Sequence, residues 1–287
     1  MHKKGLVLTN AIPQAEQDET LFIKALDYIL NFDLEVIEFY TDETRASRYG
    51  RAIKDRNLEP IFITALDQRR AGDCRICSEN ESQRVRSVDI TKRSIEKAMS
   101  AGAKRTIIQS GTYPNDYTKE VDCMHAVEKS IRELSEFAGD DIMILLEPCD
   151  RSVQICQLLG PSLQVYSLMK KLSLTNFGLT MDVAHITELF EDTGEALQLC
   201  KPYCDHVHIA NCVLDTTSEL FGDKHPLFGV EKGCYSINDG YLLYQDARNL
   251  YKNENLFISV EMMGYDAEPM PYLDSLIENM PWFFKKC

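Results

Sequence analysis

The chain has 287 residues, 44% hydrophobic and 26% charged, an ordinary globular composition that excludes a disordered or fibrous protein. Its 45 acidic against 31 basic residues give a formal charge of −14, a field that repels phosphate backbones and anionic lipid and favours a bound divalent cation. No nucleic acid and no membrane is therefore expected as a partner.

Residues 1–10 hold two lysines but an apolar stretch too short for a signal-peptide core, and no run approaches the roughly 20 apolar residues that span a bilayer. The ten cysteines are scattered along a large chain rather than set in the framework of a small secreted domain, so reduced thiols and a cytoplasmic location are expected. Cys74 and Cys77 have zinc-type spacing, yet no second pair or nearby histidine completes a site.

Apolar β-type runs alternate with longer amphipathic stretches throughout. The runs fall at 5–13, 34–40, 60–65, 105–110, 142–147, 177–182, 206–210 and 257–261. Several are apolar at nearly every position, as strands covered on both faces must be. Amphipathic helices are predicted at 18–31, 116–138, 161–172, 193–201, 241–251 and 271–286. The segment 211–240 is long and rich in Gly, Asp and Pro, the mark of a functional loop. No linker or compositional break divides the chain, which predicts a single α/β domain over 1–287, a (β/α)8 TIM barrel. An open doubly wound sheet is the alternative, weakened because no glycine-rich phosphate turn follows the first strand.

Four of the later runs end in residues that bind divalent cations: Glu147, Asp182, His208 and Glu261. In a barrel the carboxyl ends of the strands meet at one mouth. A lone carboxylate there is desolvated and repelled by its neighbours, and a shared cation relieves both; a Glu in that place can also simply cap the next helix. Three carboxylates and one imidazole suit one divalent ion, Mn²⁺ foremost, with Mg²⁺, Co²⁺ and Zn²⁺ as the other choices. His185, three residues after Asp182, can face the same cavity. His206 and His208 point to one face of their strand, and His208 is the better ligand because it lies nearer the mouth. Asp223 and His225 in the long loop can reach substrate or a second metal, or stay solvated. Arg151 can bind substrate oxygens or pair with Asp150.

With Leu-Leu-Glu147, Gly178-Leu-Thr-Met-Asp182-Val-Ala-His185, His206-Val-His208-Ile-Ala-Asn211 and Ile-Ser-Val-Glu261 in this order, the chain resembles the xylose isomerase-like TIM-barrel superfamily. That group includes ketose 3-epimerases, hydroxypyruvate-isomerase-like proteins, inosose dehydratases and AP endonucleases. Glu38 in Val-Ile-Glu-Phe is a weaker mark of it. The resemblance implies that Glu147, Asp182, His208 and Glu261 hold the metal, that Glu147 and Glu261 are also the acid/base pair, that His185 contacts substrate, and that the protein forms a homodimer. It departs from the endonuclease branch, whose extra zinc-binding histidines follow the third and fourth strands, because no histidine lies between His2 and His125. It departs from the epimerase branch at Val153, where that branch carries a further Glu.

These residues point to a metal-dependent sugar isomerase or epimerase that works on a ketose or related polyol through an enediolate. The same enolate chemistry serves a dehydratase or lyase of a sugar or inosose. A non-catalytic barrel subunit of a larger assembly is the reading from another class.

Overall fold

The computed structural model describes residues 2–252 and 255–287. Its strands are β1 Lys3–Val7, β2 Val36–Phe39, β3 Glu59–Ile63, β4 Arg105–Ile108, β5 Met143–Leu146, β6 Phe177–Asp182, β7 Cys204–Ile209 and β8 Phe257–Val260, and they close into a barrel in chain order. Every pairing is parallel, and β8 returns to β1 through Phe257 to Val260 against Lys3 to Leu6. The helices are α1 Leu8–Ala11, α2 Glu19–Ile29, α3 Glu43–Lys54, α4 Ala65–Arg70, α5 Glu81–Ser100, α6 Glu120–Ala138, α7 Ser162–Leu172, α8 Val183–Glu188, α9 Thr193–Cys200, α10 Ile237–Leu250 and α11 Pro269–Asn279. The chain is thus a (β/α)8 TIM barrel. No described helix is long and apolar enough to cross a membrane.

Two apolar compartments explain the near-continuous hydrophobicity of the strands. Val36, Ile61, Ile107, Leu145 and Phe257 pack inside the barrel, while Leu6, Phe39, Phe62, Leu146 and Val260 join the larger layer between strands and helices. Above the inner apolar layer the lumen turns polar, with Glu38, Thr180, His206 and Ser259 all fully buried. Gly5 makes room for this layer, because a Cβ there would stand 2.2 Å from Ser259 Oγ. At the opposite end Phe283 and Phe284 are buried, and the Lys4 ammonium lies 5.1 Å from the Phe283 ring centre. The apolar C-terminal segment therefore packs into the layer between strands and helices.

Differences from the predicted elements have local causes. The first run, predicted as strand over 5–13, leaves the barrel at Val7 and turns into α1, all four of whose residues are buried. A short buried helix and a buried strand are equally apolar, so periodicity cannot separate them. Helices α3 and α5 lie in charged stretches with thin apolar stripes, and side-chain caps start them at Asp42 and Asn80. The two approach closely at Gly50, where a Cβ would stand 1.9 Å from the Ala101 carbonyl oxygen. The last helix ends at Asn279 rather than 286.

Candidate metal centre

The carboxyl ends of β5 to β8 deliver four polar side chains to one point. Glu147 and Glu261 are the first residues beyond β5 and β8, while Asp182 and His208 lie within β6 and β7. One potential ligand atom from each of the four lies within 4.8 Å of the others, and all four residues are buried. His208 Nδ1 stands 2.7 Å from Glu261 Oε2, 3.3 Å from Glu147 Oε1 and 3.6 Å from Asp182 Oδ2.

Each carboxylate is anchored by one oxygen and presents the other. Gln109 Nε2 donates to Glu147 Oε2 at 2.9 Å, and Asn10 Nδ2 donates to Glu261 Oε1 at 2.6 Å. Asp182 Oδ1 caps α8 by accepting from Ala184 N and His185 N at 2.6 and 3.3 Å. The atoms turned inward, Asp182 Oδ2, His208 Nδ1 and Glu261 Oε2, are buried with no hydrogen-bond partner. Orphaned acceptors converging in a dry site are costly unless a cation joins them. The donor set therefore fits a divalent ion, and its oxygen-rich character fits the harder ones.

Behind His208 lies Glu38 of β2, fully buried, whose Oε2 is 3.0 Å from His208 Nε2 and whose Oε1 is 3.0 Å from His206 Nε2. A carboxylate on the outer nitrogen fixes the ring and makes the inner nitrogen a better ligand. Burial alone would raise the Glu38 carboxyl, but His206 and His208 hold it below the usual range. Burial likewise opposes charge on His208, and Glu38 and Glu261 overrule it, holding its proton well above the ordinary histidine range. Burial would raise Asp182, but the nearby His208, together with His225 and His185, lowers it to about 2.

Beside the quartet sits a second buried group of His185, Asp223 and His225. His185 Nε2 is 4.0 Å from Asp223 Oδ1, its Nδ1 is 3.1 Å from Glu188 Oε2, and its ring meets that of His225 edge-on at 5.7 Å. His225 contacts Asp223 directly and takes a positive φ of 39° to do so. The contacts of Arg151, expected to bind substrate, involve neither group. Its guanidinium donates to the Gln157 and Leu158 carbonyls and to Gln164 Oε1, and stacks on Tyr113 at 4.3 Å. Nor does it pair with Asp150, whose carboxylate accepts from the backbone N–H groups of Val153, Gln154 and Ile155.

In front of the quartet opens a cavity of about 560 Å³, counting its mouth, reached from the first and third βα loops through Asn10, Pro13, Leu66 and Arg69. Sequence reasoning passed over Asn10, Gln109 and Arg69 because a lone amide or arginine in a loop carries no spacing signal. Tyr265 lines this cavity, whereas Phe228 is buried beneath Trp282 and Tyr113 pairs with Glu120.

Residues 26–285 match the family model described as xylose isomerase-like TIM barrel. This chain belongs to that family. No curated protein matches it significantly. Among solved structures, this xylose isomerase-like barrel is similar to a 3-keto-D-glucoside 4-epimerase from E. coli, with a TM-score of 0.68, 16% identity and 99% of each chain covered. An L-ribulose 3-epimerase aligns at a TM-score of 0.71 and 18% identity, covering 97% of this chain and 86% of the other. A family 2 AP endonuclease from Brucella melitensis aligns at 0.68 and 16%, covering 96% and 98%. At such identities the likeness is one of fold.

Proposed function

We propose that this protein is a divalent-metal-dependent isomerase or epimerase acting on a small sugar or polyol. The observation that carries the reading is the pair Glu147 and Glu261, each held by one amide and each turning its other oxygen to the same point at the floor of the cavity. The epimerase activities named for two similar structures support it.

Glu147, Asp182, His208 and Glu261 would hold the ion, Mn²⁺ by preference. When bound, it polarises a carbonyl and balances charge on the oxygens beside it. One of the two glutamates removes the proton from the carbon next to the substrate carbonyl, leaving an enediolate. The other returns a proton to the opposite face of that carbon, or to its neighbour, which separates epimerisation from isomerisation. Gln109 and Asn10 keep the two carboxylates from rotating out of reach. His185, Asp223 and His225 stand at the side of the site as substrate contacts. Cys149, although buried 3.1 Å from Gln109 Nε2, is pushed by that burial to about 12 and stays a neutral thiol with no nucleophilic part.

The test is a screen of ketoses, aldoses and inososes by NMR in D2O, with Mn²⁺, Co²⁺, Mg²⁺ or Zn²⁺ supplied in turn. Deuterium is expected at one carbon beside a carbonyl in one substrate, and only with metal. No exchange on any compound with any ion would overturn the assignment.

A further inference from the structure

The wall of the cavity facing the quartet is apolar, formed by Pro13, Tyr40, Ile63, Leu66, Ile107 and Met263. Its polar atoms are already used. The Tyr40 hydroxyl donates to the Thr9 carbonyl at 3.2 Å, the Tyr265 hydroxyl to the Lys224 carbonyl, and the Asn10 amide to Glu261. A substrate with a hydroxyl on every carbon would find few partners along this wall.

One lining side chain differs. Arg69 projects from α4 with Nε donating to Gln109 Oε1 at 2.9 Å, which fixes the plane of the guanidinium. Its Nη1 forms an ion pair with Asp223 Oδ2 at 3.7 Å, but among the described residues neither terminal nitrogen makes a hydrogen bond. Beside the quartet at its floor and the His185, Asp223 and His225 group, the cavity lining thus offers a substrate a pair of N–H donors at its side, with apolar surface between. Paired guanidinium donors match two oxygens of one anionic group, and a neutral hydroxyl would leave most of that capacity unused.

We infer that Arg69 is a specificity-determining residue that selects short hydroxy-carbonyl compounds ending in a carboxylate or phosphate. The inference rests on the metal-dependent reading of the same site and narrows its substrate class.

The test measures binding rather than turnover. The Mn²⁺-loaded full chain is titrated calorimetrically with three small probes at constant ionic strength: dihydroxyacetone, which is neutral, dihydroxyacetone phosphate and hydroxypyruvate. At least one anionic probe is expected to bind roughly 10-fold or more tightly than the neutral one, the effect of a charge-assisted pair. Which anion wins distinguishes phosphate from carboxylate. Arg69→Met is expected to abolish that preference while leaving dihydroxyacetone within about threefold and Mn²⁺ affinity unchanged; Arg69→Lys, which keeps charge without the fork, retains part of it. The inference is overturned if the wild type prefers neither anion, or if Arg69→Met weakens all three probes equally, which would make Arg69 only a support for Gln109. Anion preference without proton exchange on any substrate would instead sink the enzymatic reading and leave Arg69 standing.

Discussion

Replacing Glu38 by Gln separates the support of the centre from the centre itself. Glu38 touches no substrate and lies on the far side of His208, where its carboxylate takes the outer ring nitrogen at 3.0 Å. Gln keeps the shape but loses the charge, so His208 loses the partner that fixes its ring and raises its basicity. A hydrogen bond to a charged group contributes about 1.5–3 kcal/mol, which corresponds to roughly a 10- to 150-fold change in affinity. The range agrees with the 10- to 100-fold effect usual for groups behind a metal-bound histidine. Because the His206 ring approaches the other Glu38 oxygen at 3.0 Å, the variant also frees His206, and the upper half of the range is expected. The assay is calorimetric titration of Mn²⁺ into chelator-treated protein, with circular dichroism to show that the variant is folded. A folded Glu38→Gln protein that binds Mn²⁺ within twofold of the wild type would refute the reasoning.

Glu147→Gln and Glu261→Gln each remove a base while keeping an acceptor for Gln109 or Asn10; turnover is expected to fall by roughly 10²- to 10⁴-fold with the fold intact, and full activity in both would exclude them as the acid/base pair. The stability of chelator-treated protein is expected to fall as pH rises from about 6.5 to about 9. Burial opposes charge on His225, but Asp223 raises it from 6.5 to about 9 in the folded state, so its contribution is complete below 6.5 and lost through 9, on the order of 3 kcal/mol. Urea unfolding across that range checks it, and a flat or rising profile contradicts it. Asp150→Ala is expected to lower the unfolding free energy read from urea titration by about 2–4 kcal/mol, because four backbone N–H groups of the loop after β5 lose their buried acceptor; an unchanged midpoint would show that water replaces it.

The barrel could be read from the sequence because strands buried on both faces leave apolar runs with little competing explanation, as in Met143–Leu146 and Phe257–Val260. The residues of the quartet stood out because each lies at or near the carboxyl end of such a run. Glu38 stood out only as a weaker mark of the family resemblance, and its bond to His208 joins β2 to β7 across the lumen and leaves no local trace. Gln109, Asn10 and Arg69 escaped because amides and single arginines in loops are common and nothing in their spacing reports what they face. Arg151 stood out for its proximity to Glu147 in sequence, and in the fold the backbone carbonyls of 157 and 158 take its guanidinium.

The proposal depends on one cation at the convergence of four side chains, and anomalous scattering from crystals grown with Mn²⁺ locates it most directly. A single strong peak is expected between Glu147, Asp182, His208 and Glu261, at bonding distance from all four. A protein that takes up no Mn²⁺ at this point, or gathers it only among His185, Asp223 and His225, would contradict the assignment.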